Sequence, residues 1–147
     1  IAVVQTATVP RMRSAEGMWL PLPGTAREPI GERIIETPAD VARELLRDPR
    51  GHFIAYVPVG AVARGKRLAA VLGCATCHGP TLNGLGPVPA IAGRSPSYVG
   101  RQLYDFQQGT RHGEMAALMA PVAAKLDARG MVDIAAWLAS LPMKPVR

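Results

Sequence analysis

Residues 73–80 read GCATCHGP. The stretch holds both cysteines of the chain, Cys74 and Cys77, with His78 directly behind the second. Several chemistries use two thiols at this spacing. A redox dithiol works beside a strand, in a βαβ setting. Here the flanks carry a helical pattern, and no parallel-sheet pattern accompanies them. Structural zinc asks for four ligands, usually from two such hooks. Beyond His78 the chain has only His52 and His112, so the second hook is missing. Two small buried thiols beside an incidental imidazole make the plain packing alternative.

The remaining chemistry is covalent haem attachment, the standing interpretation of C-x-x-C-H. The spacing has a physical reason. One turn of helix places Cys74 and Cys77 on one side, where both thiols can add to the vinyl groups on one porphyrin edge. His78 then rises beside that edge and coordinates the iron from the proximal face. This reading consumes both cysteines. The opposite face needs a partner too, and the candidates are Met115, Met119, His112 and His52.

Working outward, the chain from about residue 60 is helical in pattern. In VARGKRLAAVLGC (62–74), Gly65, Leu68, Ala69 and Leu72 form one stripe. In SPSYVGRQLYDFQQG (95–109), Val99, Leu103 and Phe106 do the same, starting after Pro96 and ending at Gly109. In LDARGMVDIAAWLASLP (126–142), Ile134, Trp137, Leu138 and Leu141 make a third stripe, with Asp127 as N-cap and Pro142 as the stop. Gly130 in its first turn costs about 1 kcal/mol against Ala. Gly65, without a side chain, allows a close helix approach, with Trp137 as the expected partner. Between the first two helices lies the Gly/Pro-rich loop GPTLNGLGPVPAIAG (79–93).

The first sixty residues differ. Proline recurs at positions 10, 21, 23, 29, 38, 49 and 58, which leaves no room for a long helix. TPADVARELLRDP (37–49) fits one short helix, with Thr37 as cap, Pro38 at the first position and Asp40 as a capping carboxylate. IAVVQTATV, RIIE and FIAYV have β-branched character and are expected to pair as a small sheet. No independent core is evident in this region. The expected organisation is an extension, 1–59, packing on the following domain or on a partner, and an all-α domain, 60–147.

Composition bounds the function. Of the 147 residues 48% are apolar but only 5% aromatic, which hints that something other than aromatic side chains fills the centre. Lys and Arg outnumber Asp and Glu by 17 to 11, a formal net charge of +6, which favours acidic partners. The basic residues are scattered and no stripe interleaves them with aromatics, which argues against nucleic acid. No apolar run approaches the roughly 18–20 residues of a membrane span. MAALMAPVAA (115–124) is the longest and contains Pro121. The chain begins at Ile1 without a visible signal peptide, so a processed or trimmed product is expected.

The ordered motifs CHGP (77–80), PAIAG (89–93), SYVGRQLYDFQQGTR (97–111), LMAPVAAKL (118–126) and IAAWLASL (134–141) together resemble a class I c-type cytochrome. The resemblance spans about 60–141 and implies one covalent haem c, held through Cys74 and Cys77. It implies His78 and Met119 as axial ligands, because the family's distal Met lies seven residues ahead of a Leu and is followed by x-Pro. Met119 to Leu126 has that spacing, and Met119 precedes Ala120-Pro121. The resemblance further implies that the Pro89 carbonyl accepts the His78 ring N–H and that Ile91 lies against the porphyrin. Arg94, Tyr98, Gln102 and Arg111 match positions that meet the propionates. The acidic start of the family's last helix is LDARG here, and a family Tyr is Trp137.

His/Met ligation leaves no open iron position and raises the reduction potential. The expected function is therefore one-electron transfer, as a carrier or as the electron-transfer subunit of a dehydrogenase or respiratory complex. Redox partner proteins with acidic docking surfaces are expected, together with a possible partner subunit engaged by residues 1–59. By the same resemblance the expected location is periplasmic, in association with a membrane complex. The competing expectations are a haem enzyme or gas sensor with an open distal site, and an interaction module carried by residues 1–59.

Overall fold

The computed structural model describes residues 1–15 and 17–143. The end of the expected helical domain, residues 144–147, lies outside the described residues. The expectation of an all-α chain does not hold. Among the described residues seven strands precede or interleave with six helices, so the fold is mixed. The cause is in the first sixty residues, where proline spacing forbids long helices and β-branched runs pair over long sequence distances.

Three strands form the main sheet. β1 (Ala2–Thr6) runs parallel to β7 (Phe53–Pro58), with Val3 opposite Ala55. On the other side of β7, β6 (Ile35–Pro38) runs antiparallel, with Ile35 opposite Tyr56. On the central strand Ala55 and Val57 are fully covered. Two further pairs lie outside it. β2 (Thr8–Pro10) pairs with β5 (Arg27–Pro29), and β3 (Met12–Ala15) forms a hairpin with β4 (Met18–Pro21). The three expected β segments thus do meet in one sheet, while the hairpin and β5 were not anticipated. Val9, Ile30 and Ile35 cluster with Met12 and Tyr56, so the extension has a small core of its own, contrary to expectation.

The short helix α1 spans Val41–Leu45. Its cap is Asp40, which accepts the Arg43 N–H at 3.1 Å; Thr37 and Pro38 belong to β6 instead. The sheet won those two residues because Thr37 pairs with Ile54 and Pro38 with Phe53.

The helical part contains the three helices that the stripes predict and the turn at Cys74–His78, and adds a helix over Ala116–Ala123 that was not anticipated. α2 spans Ala61–Val71, α3 Cys74–His78, α4 Pro96–Gln107, α5 Ala116–Ala123 and α6 Ala128–Ala139. Asp127 caps α6 as expected, accepting the Gly130 N–H at 2.7 Å. α2 and α6 cross at Gly65. A Cβ there would lie 1.9 Å from the Asp133 carbonyl oxygen and 2.9 Å from Trp137 Cβ. The α6 backbone, with Trp137 behind it, is what Gly65 admits. Next to the crossing, Arg64 donates two bonds of 2.8 Å to the buried Asp133 carboxylate. This fork fixes the rotation of α2 against α6.

Extension and helices share packing. Ile34 touches both the main helical core and the cluster of Val57, Ala61 and Ala136. Glu36 on β6 accepts from Ser95 Oγ at 2.7 Å and from the Ser97 N–H at 2.9 Å, while Ser95 Oγ accepts the Tyr98 N–H at 3.1 Å. A carboxylate from the sheet thereby completes the N-terminal cap of α4, where the helix end favours negative charge. Ser95→Ala removes the Oγ cap and one of the two bonds to Glu36, leaving the one from the Ser97 N–H. A loss of about 1 kcal/mol is expected in chemical denaturation of the folded chain.

Candidate functional site

Two glycines with positive φ bracket the five-residue helix α3. Gly73 (φ 70°) turns the chain out of α2, and Gly79 (φ 81°) ends α3 directly after His78. Cys74 is half-buried and packs on the main core, Cys77 is exposed, and His78 is buried at 6% exposure. One helix thus carries one thiol toward the core and one toward the surface, with an imidazole at its inner end.

The loop 79–93 is built to hold that imidazole. The His78 carbonyl accepts the Gly84 N–H at 3.0 Å. Leu85 and Val88 exchange two backbone bonds of 3.1 Å, closing a tight turn that delivers Pro89. Gly84 sits inside this wrap: a Cβ there would meet the Val88 carbonyl oxygen at 3.0 Å. Leu82 takes a left-handed conformation (φ 58°), uncommon for a branched residue. Its side chain is buried, and its carbonyl accepts both Ile91 and Ala92 N–H groups, at 2.9 and 3.0 Å. Those contacts offset the backbone strain. The outcome is a bond of 2.8 Å between His78 Nδ1 and the Pro89 carbonyl oxygen. A carbonyl only accepts, so Nδ1 carries a proton, and in the neutral imidazole it is Nε2 that offers the lone pair.

Burial pushes the Cys74 thiol above its ordinary range, partly offset by a backbone hydrogen bond, and the neighbouring Cys77 adds to the rise. The described residues do not bring together a group of three or more His, Cys, Asp or Glu suited to a metal ion.

Met119 on α5 is half-buried and packs against the core of Leu82, Val99, Leu103, Leu126 and Met131, which Cys74 and Ile91 also touch. Met115 is 46% exposed, and His52 and His112 are exposed. Of the other candidates, Arg111 donates to Gln102 Oε1 and stacks 4.5 Å from the Phe106 ring centre. Arg94 is exposed, with its Nε donating to the Ala90 carbonyl at 3.3 Å, and Tyr98 is also exposed. The structure therefore unites Cys74, Ile91 and Met119 on one core, His78 with Pro89, and Gln102 with Arg111.

Sequence reasoning missed three supports: Leu82, Glu36 and Gln107. Leu82 gives no warning of its left-handed backbone. Glu36 meets its partner Ser95 across 59 residues, and the Gln107 amide reaches the carbonyls of Ala123 and Leu126, 16 and 19 residues on. No local pattern records such contacts.

A group with two thiol-reactive edge positions and a metal centre that takes a neutral imidazole fits this donor set. Both thiols lie on one short helix, and the only nitrogen left for a metal on His78 is Nε2.

Comparison with known proteins agrees. The sequence model of the family described as Cytochrome c matches residues 62–142, more than half the chain. The thiosulfate dehydrogenase electron acceptor of Thiomonas intermedia (strain K12) is 34% identical over 102 residues, covering 63% of this chain and 47% of that protein. Cytochrome c-554(548) of Halomonas halodenitrificans is 38% identical over 68 residues, 46% of this chain and 82% of that protein. Among solved structures, reduced recombinant cytochrome c4 from Pseudomonas stutzeri aligns with a TM-score of 0.52 at 26% identity, covering 59% of this chain and 51% of that one. The chain spans about half the length of the electron acceptor and of the cytochrome c4 structure.

Proposed function

Since the chain belongs to the cytochrome c family and carries that family's covalent haem c, we propose that it is a one-electron carrier whose iron is closed on both faces, by His78 and Met119. One observation carries this reading. His78 is buried with Nδ1 committed to Pro89, and Met119 packs on the same core as Cys74 and Ile91.

In this reading Cys74 and Cys77 anchor the haem by thioethers, Ile91 packs against it, and Arg94, Tyr98, Gln102 and Arg111 serve the propionates. When bound, the haem supplies a one-electron Fe(III)/Fe(II) couple. The chain's own part is to fix His78 in one tautomer, to exclude water from the buried imidazole, and to hold the Met119 sulfur. The bond to Pro89 also makes the imidazole a better donor through Nε2. Exposed Cys77 marks where electrons exchange with a partner. Relatives named as an electron acceptor and as cytochromes support a carrier in preference to an enzyme.

A net charge of +6 supports redox partners with acidic docking surfaces. A periplasmic site of action within a respiratory or dehydrogenase complex fits covalent haem attachment, which takes place outside the bacterial cytoplasm. Among the described residues no helix is long and apolar enough to cross a membrane. Residues 1–59 form the extension and 60–147 the haem domain in this organisation, and the extension presents Trp19, 53% exposed, to a partner subunit. Deleting the extension is a poor test of docking, because it also removes the Glu36 cap and the Ile34 packing.

An optical redox titration tests the carrier reading. A single reversible one-electron wave is expected, with no peroxide turnover by the reduced chain. Sustained peroxide consumption would instead establish the open-site alternative.

A further inference from the structure

α5 is a weak helix carrying a critical residue. It has eight residues, and Met115 at its N-cap offers no side-chain hydrogen bond. Pro121 inside it has no N–H, so one intrahelical bond is missing. Only Ala123 is buried, so packing adds little. Something outside the helix must hold it.

We propose that Gln107 is a positioning residue for the distal ligand: it ties the end of α5 to α4 and so keeps the Met119 sulfur in place. The inference rests on the assignment of Met119 as that ligand. Gln107 is the last residue of α4 and is half-buried. Its Nε2 donates to the Ala123 carbonyl at 3.2 Å and to the Leu126 carbonyl at 2.6 Å. Both partners are acceptors, so the amide orientation is forced: the NH2, and not the carbonyl, faces them. Ala123 lies four residues after Met119, on the same helical face. Leu126 is buried and immediately precedes the α6 cap Asp127. One amide therefore joins α4, the end of α5 and the entry to α6. The Ala123 carbonyl also accepts the Leu126 N–H at 3.0 Å, so the turn leaving α5 is fastened at the same point.

The test is the rate at which imidazole replaces the Met119 sulfur in the oxidised, haem-loaded chain. In this exchange one Fe–S bond breaks, one Fe–N bond forms, and no electron moves. Gln107→Met keeps the length but has no donor, and is expected to speed the exchange roughly tenfold or more, because the hydrogen bonds to both the Ala123 and the Leu126 carbonyls are lost. Gln107→Lys, which restores a donor at that distance, is expected to stay near the native rate. Ser95→Ala, which weakens the other end of α4 without touching α5, is expected to leave the rate unchanged. An unchanged rate in Gln107→Met, or an equal acceleration in Ser95→Ala, overturns the role. Should Gln107→Met fail to accumulate loaded, Gln107→Asn, too short to span both carbonyls, serves with the same expected acceleration and the same overturning result. Met119→Ala separates the two layers. If it binds imidazole no faster than the native chain, the ligand assignment has failed. If it is fast while Gln107→Met is native, only the positioning role has.

Discussion

Met119→Ala is expected to abolish the far-red sulfur-to-iron charge-transfer band of the oxidised protein, and Met115→Ala to leave that band intact, as the proposed assignment of Met119 requires. Met119 is half-buried on the core that Cys74 and Ile91 share, and Met115 is largely exposed. Only the former can reach a buried centre without dragging a helix end inward. Thioether ligation favours the reduced iron, so its loss also lowers the reduction potential, by roughly 0.1–0.3 V within the span that axial ligands control. Band and potential moving together in Met119→Ala distinguish a lost ligand from a loosened fold. A band that survives Met119→Ala but vanishes in Met115→Ala reverses the assignment.

Gly65→Ala produces the largest stability loss among single-methyl additions. The new Cβ would stand 1.9 Å from the Asp133 carbonyl oxygen, an atom of the α6 backbone that cannot rotate away. Relief requires α2 and α6 to separate, which opens the core around Ala136 and disturbs the Arg64–Asp133 fork. The expected cost is about 3 kcal/mol or more, at the upper end for overpacking. Gly100→Ala in α4 provides the contrast. A Cβ there meets nothing within 4 Å, so helix propensity alone acts and a gain of about 0.5–1 kcal/mol is expected. Denaturant unfolding of the two variants measures both values. Equal effects would mean that the helix crossing is not the tight contact described.

The helical part was legible because its signals are local. The stripes of α2, α4 and α6, the Asp127 cap and the small residue at Gly65 all show in windows of a few residues. The attachment motif is equally local, and the His78–Pro89 bond came only from family resemblance. The class of the whole chain was misjudged because strands beyond the three expected segments form: the β3–β4 hairpin and β5, which meets β2 across some twenty residues, carry no strong β-branched run of their own. The cap of α1 was misplaced for a related reason: pairing with β7 took Thr37 and Pro38 into β6 and left Asp40 to start the helix. Glu36 and Gln107 were invisible in the same way, since each is an ordinary polar residue until a distant segment arrives.

The central claim is that the iron is closed on both faces and the chain therefore passes electrons without binding exogenous ligands. Rapid mixing of the reduced native chain with carbon monoxide tests it most directly. The account predicts no change in the haem spectrum on the mixing timescale, with slow binding at most, set by release of the Met119 sulfur. Immediate formation of a carbon monoxide complex by the native chain would contradict it.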